Sequence, residues 1–136
     1  MKKLLMTAVT ALTLATTTAL AAPQTYAMDD SGQEYSALQT ESSWMAVEVP
    51  LAALGGSVPS DLSIAVSGLP AGTTVTLDSV DTMAQTALLY VTVARSDTTS
   101  NVNAVADIAV KSGSTVLTTV SIPVYGAAYN PSLIHI

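Results

Sequence analysis

The sequence predicts an all-β protein, one sandwich of two packed antiparallel sheets behind a short export leader. Three observations carry that expectation. From Trp44 onward, apolar and polar residues alternate with a period of two over six successive segments. Clusters of Gly, Pro, Ser, Asn and Asp punctuate the alternation at roughly 8–12-residue intervals, the spacing of short paired strands. The polarity comes mainly from Ser and Thr, with 10% charged residues against 49% hydrophobic ones, and the Val, Ile and Thr content suits half-buried pleated surfaces.

Residues 1–21 read as a signal peptide. Lys2 and Lys3 supply a basic start, Leu4 to Ala21 runs without a charge, and Ala19-Leu20-Ala21 presents small residues at the positions a signal peptidase reads. Cutting after Ala22 would put Pro23 directly behind the scissile bond, which favours a cut after Ala21; Thr25-Tyr26-Ala27 offers a second site. A retained anchor is the competing reading, but the apolar run is barely long enough to span a bilayer and is rich in Ala and Thr. The mature chain is expected in the periplasm of a bacterium or secreted from it, without membrane insertion. Residues 22–43, with Asp29, Asp30, Ser31, Gly32, Gln33 and Glu34, lack apolar periodicity and are expected as a flexible or loosely docked lead-in arm.

The sandwich proper is expected over 44–126. Its first strand is Trp44–Val49, with Met45, Val47 and Val49 on one face and Glu48 on the other. Pro50 ends it, and Leu51-Ala52-Ala53-Leu54 before Gly55-Gly56 suits a single helical turn. Asp61–Ser67 follows with Leu62, Ile64 and Val66 inward. Gly68-Leu69-Pro70-Ala71-Gly72 turns the chain into Thr73–Leu77, where Val75 and Leu77 face inward. Asp78–Thr86 is polar and reads as a loop or irregular crossing. Leu88–Ala94 buries Leu89, Val91 and Val93, and Arg95–Asn101 is a surface loop. Val102–Lys111 (Ala104, Ala106, Ile108, Val110) and Thr115–Tyr125 (Val116, Val120, Ile122, Val124) form a hairpin about Ser112-Gly113-Ser114. Residues 127–136 are an apolar tail.

The stretch Leu62–Leu77, which contains Ser67-Gly68-Leu69-Pro70-Ala71-Gly72, resembles the strand–turn–strand of bacterial immunoglobulin-like domains of secreted and surface proteins. The likeness extends more weakly to Tyr125, about half the chain. It implies an immunoglobulin-like sandwich, and it brings no catalytic residues with it, since such sandwiches host unrelated roles. The Cys–Trp–Cys core of antibody domains is absent, for the chain has no cysteine.

Composition also limits the chemistry. Once the leader is removed, Arg95 and Lys111 stand against ten Asp and Glu, so a phosphate backbone would be repelled and nucleic acid is not an expected partner. The only histidine, His135, lies one residue from the end, and a general base must be held rigidly. Without Cys or a second His, thiol catalysis, a Ser-His triad and a conventional zinc site lack parts. The acid pairs Asp29/Asp30 and Asp78/Asp81 have no regular calcium-loop spacing and read as solvated loop acids. No cofactor, metal or enzymatic activity is expected.

The counter-face of the strands carries the candidate site. Leu88, Tyr90, Leu117 and Tyr125, joined by Val105, lie opposite the main apolar set, and if clustered they would form an exposed apolar binding patch. Cover by the arm or the tail is the plainer alternative. Trp44 reads as a cap on the end of the core rather than a binding aromatic. The expected role is a non-catalytic binding or structural accessory domain of the envelope or extracellular space, contacting another protein or a glycan. The alternative is a homo-oligomeric fibre subunit that polymerises by strand donation.

Overall fold

A computed structural model describes residues 24–128. The expected leader, its cut after Ala21 and most of the apolar tail, His135 included, lie outside the described residues, whereas the second cut site, Thr25-Tyr26-Ala27, lies within them. Among the described residues, nine strands and one short 3₁₀ helix follow in order: β1 (Ala27–Met28), β2 (Glu34–Tyr35), β3 (Leu38–Gln39), β4 (Ser42–Pro50), the 3₁₀ helix Leu51–Leu54, β5 (Leu62–Ser67), β6 (Thr73–Met83), β7 (Thr86–Arg95), β8 (Val102–Ser112) and β9 (Thr115–Gly126). They build two sheets, β2-β1-β4-β7-β6 and β3-β9-β8-β5. Every pairing is antiparallel except β3 with β9, where Leu38 and Gln39 run parallel to Val124 and Tyr125.

The period-two pattern decides which side chains meet between the sheets. Met45, Val47 and Val49 of β4 and Leu89, Val91 and Val93 of β7 pack in one core with Ala106, Ile108 and Val110 of β8 and Ile122 and Val124 of β9. Successive strand residues point to opposite faces, so each of these has an outward neighbour. Leu62, Ile64, Val66, Leu77, Ala104 and Val120 pack against the core's margin while remaining partly exposed. Pro50, extended at φ −60°, closes β4 and opens the 3₁₀ helix; Gly55 ends that helix in the left-handed region at φ 89°, a conformation only glycine adopts without strain.

The structure departs from the sequence expectations in four places. Residues 24–43 carry three strands and two fully buried side chains, Ala27 and Leu38, in place of a loose arm. Asp29 organises them: its carboxylate accepts from Ser31 N–H (2.9 Å), Gln33 N–H (3.0 Å) and Tyr35 O–H (2.8 Å), holding the β1–β2 turn. Second, Asp78–Met83 is not a loop but the far half of β6, paired with β7 as far as Met83–Thr86. The reversal needs only Ala84 and Gln85, with Ala84 at φ 54°, so neither Gly nor Asn announces it. A bulge between Leu77 and Ser79 resets the alternation and hides the strand from a period-two reading. Third, a bulge opposite Val110/Lys111 turns Val116 outward to 53% exposure, and Leu117 takes the place against the core. Fourth, the parallel β3–β9 pairing means the sandwich is not wholly antiparallel.

One end of the sandwich is clasped. Thr40 N–H donates to Tyr125 O of the four-stranded sheet, and the next residue, Glu41, donates to Val93 O of the other sheet. Glu41 stands at φ 58° where the chain crosses between layers. Arg95, with its side chain 5% exposed, donates through Nε to both Glu41 carboxylate oxygens and through its Nη atoms to Ser100 O and Ala127 O. The guanidinium's planar fork suits this simultaneous grip on three segments. It holds the Glu41 carboxyl below the ordinary carboxylate range.

Candidate functional site

The five counter-face residues do not form one patch. Leu88 and Tyr90 belong to β7 and face outward from the five-stranded sheet, whereas Val105, Leu117 and Tyr125 belong to β8 and β9 of the four-stranded sheet. Two outer faces of a sandwich look away from each other, so no single partner surface contains both groups. Leu117 packs on the core margin through the β9 bulge. Leu88, 6% exposed, is not free surface either.

Leu88 is nevertheless the most informative of the five. Leu88 and Ala46 are both buried, yet neither belongs to the core between the sheets. They lie in a second apolar layer on the outside of the five-stranded sheet. The register builds it. Across the sheet, Glu34, Met28, Ala46, Tyr90 and Ser79 form one row. Glu48, Leu88 and Asp81 form the next row, where Tyr26 O accepts the Glu48 N–H at 2.9 Å. Cross-strand neighbours on one face of a sheet stand close enough to cover each other, which is how an outward alanine or leucine becomes buried.

Acidic groups border the layer. Glu34, Glu48, Asp78 and Asp81 lie on the same face. Asp78 accepts from Thr92 Oγ1 at 2.6 Å, and Asp81 from the Thr82 N–H at 2.8 Å, so both carboxylates serve local structure. Glu48 differs: its Oε2 is buried with no hydrogen-bond partner. Burial, and then the neighbouring Glu34 carboxyl, push Glu48 up to about 7. Arg95 is engaged by Glu41 at the clasped end, and Lys111 lies on the other sheet, so neither neutralises this face.

Two other regions were candidates. A cavity of about 1020 Å³ opens at the clasped end between Gln39, Glu41, Arg95, Asn101 and Tyr125, but its charged groups already satisfy each other. The outer face of the four-stranded sheet exposes Val105 (50%) and Tyr125 (48%) among Ser, Thr and Ala, with Asp107 accepting from Ser121 Oγ at 2.6 Å. Among the described residues no group of three or more His, Cys, Asp or Glu is placed to hold a metal ion, and no helix is long and apolar enough to cross a membrane.

Tyr26, Met28, Ala46 and Glu48 escaped the sequence reading of this site. Ala46 sits between two core residues and resembles core filler. Tyr26 and Met28 flank Ala27 in a segment whose two-residue strands are too short for periodicity to register. Trp44 is 40% exposed and meets Tyr35 of β2 edge-on at 5.4 Å, so it braces the β1–β2 hairpin at the margin of the core. Comparison with protein-family models, curated proteins and solved structures found no match.

Proposed function

We propose that this chain is an exported, non-catalytic accessory domain with an immunoglobulin-like sandwich. On this reading it engages another envelope or extracellular protein, or a glycan, through the outer face of its five-stranded sheet. The strand order supports the topology. Taking β1, β4, β7 and β6 as A, B, E and D, and β5, β8 and β9 as C, F and G, reproduces the ABED and CFG sheets of a constant-type immunoglobulin sandwich. The observation that carries the binding reading is the burial of Ala46 and Leu88 outside the core. A second apolar layer, flanked by Tyr26, Met28 and Tyr90, is what a contact surface offers and a merely solvated sheet lacks.

Two features support a lone module over a strand-donating subunit. The chain's own β1–β2 hairpin flanks β4, and its own β3 occupies the β9 edge. A photo-crosslinking residue at Tyr90, compared with one at Thr119 on the opposite sheet, tests the reading in the native host. A discrete adduct with a different molecule from position 90 alone supports it. A ladder of self-adducts would favour the fibre subunit, and matching patterns from both positions would defeat the choice of face. Fractionation that finds a chain beginning at Met1 in the cytosol would defeat export.

A further inference from the structure

We infer that Glu34 and Glu48 form a proton-operated latch that holds the β1–β2 hairpin against β4 and thereby controls the outer face of the five-stranded sheet. The geometry is specific. Glu34 sits on β2, the edge strand, and pairs with Met28 of β1, which in turn pairs with Ala46 of β4; Glu48 is two residues further along β4 on the same face. The register therefore places both residues on the outer face, with the two-residue β1 between them. Two carboxyl groups attract only when one carries a proton for the other to accept, and repel when both are ionised. Glu48 Oε2 is buried with no hydrogen-bond partner, and the neighbouring Glu34 carboxyl adds to burial in pushing Glu48 up.

The other groups around the pair do not substitute for that proton. From the residue before β1 comes the Tyr26 backbone; from β7, Leu88 and Tyr90; from β6, beyond Leu88, Asp81, a further negative charge. In the β1–β2 turn, Asp29 is lowered to about 2 by its hydrogen bonds from Ser31 and Tyr35 and stays ionised. Tyr35, which donates to it, is raised and stays neutral across neutral pH. The cation on these elements, Arg95 at the far end of β7, is bound to Glu41 at the clasped end.

What resists repulsion is slight. β1 and β2 contribute two residues each, and Ala27 is the fully buried anchor they supply. Leu38, the next anchor, holds β3 to the other sheet, so release is confined to the segment before it. Because Met28 and the Tyr26 backbone are part of the outer face, opening the latch alters the surface proposed above to bind. That regulatory meaning rests on the binding reading, whereas the latch itself is tested with no partner present.

Trp44 against Tyr35 is a built-in reporter, and it is the chain's one tryptophan. Emission of the mature protein is followed from about pH 5.5 to about pH 8.5, together with the exchange protection of the Glu48 amide that donates to Tyr26. The expected result is a transition that ends near 7, with amide protection falling by up to about tenfold per pH unit as pH rises towards that value and levelling off above it. Glu48→Gln and Glu34→Gln, each nearly isosteric, should abolish the transition, while Asp107→Asn on the opposite sheet should leave it intact. A flat wild-type profile, or a transition that survives Glu48→Gln in protein with an unchanged β-sheet circular dichroism spectrum, overturns the latch. Crosslinking from position 90 is read separately, so loss of the binding reading and loss of the latch give different results.

Discussion

The two outer faces of this sandwich use similar residues to opposite ends. On the four-stranded sheet, Val105, Val116 and Tyr125 are about half exposed and stand apart among Ser, Thr and Ala, with Lys111 and Asp107 on the same side. On the five-stranded sheet, apolar residues are less exposed but continuous, so Ala46 and Leu88 are buried outside the core beneath a fringe of carboxylates. Isolated exposed aliphatics are ordinary in soluble proteins and mark nothing. A contiguous apolar layer with uncompensated charge is the feature that asks for an explanation.

Adjacent residues of β7 test that contrast most directly. Leu89 lies in the core, and Leu89→Ala should cost about 3–5 kcal/mol, the transfer loss plus a cavity. Leu88→Ala on the outer layer should cost about 2 kcal/mol, since solvent and neighbouring side chains can fill the gap. Urea unfolding measures both, and equal losses would mean that the outer layer packs as a second core.

Gly68 probes the other sheet. It stands at φ 90°, and a Cβ there would drive into the Val105 carbonyl oxygen. Gly68→Ala should therefore cost about 2 kcal/mol or more in the same measurement, even though the face it supports is plain. A neutral result would show that the turn relaxes away from β8.

The pH dependence should separate two carboxyls of the five-stranded sheet by the sign of its slope. Glu48 is raised from the usual carboxylate range to about 7, so the folded chain binds more protons than the unfolded chain between about 4.5 and 7. Stability is then lost as pH rises through that window, by the linkage of proton uptake to folding. Asp29 works oppositely. Lowered to about 2, it contributes stability above the ordinary carboxylate range that is lost as pH falls from about 4 towards 2. The expected profile has its maximum near the low end of the Glu48 window, and Glu48→Gln should flatten the descending limb without touching the acid limb. Midpoints of thermal unfolding across pH give both limbs, and a stability that climbs from pH 5 to 7 would contradict the environment described for Glu48.

The smallest effect belongs to Val116. At 53% exposure on the four-stranded face, Val116→Thr should change stability by less than about 0.5 kcal/mol. A larger loss would show that this face, too, is covered in solution.

Much of the sandwich was legible because period-two alternation is a local property. The β8–β9 hairpin about Gly113, the 3₁₀ turn before Gly55 and the inward set of Met45, Val47, Leu89, Ile108 and Ile122 lie as the alternation requires. The second half of β6 was hidden because a bulge after Leu77 shifts the period and Ala84-Gln85 carries no turn signature. The arm was hidden because two-residue strands leave no pattern. Of the candidate site, Leu88 and Tyr90 fall on one face, while Leu117 and Tyr125 fall elsewhere, for alternation says that a residue points outward without saying from which sheet.

Taken alone, the order of residues in this chain determined which side chains leave water, because that choice repeats every second position and needs only neighbours in sequence. The pairing of strands distant in sequence decided the rest. It put Glu34 and Glu48 on one face, set Ala46 beside Met28 and Tyr90, and tied Arg95 to Glu41 and Ala127. Carboxyl repulsion, burial of an outward leucine and the clasp at the sandwich end act across space between segments far apart in the chain, so they come into being only when the sheets assemble.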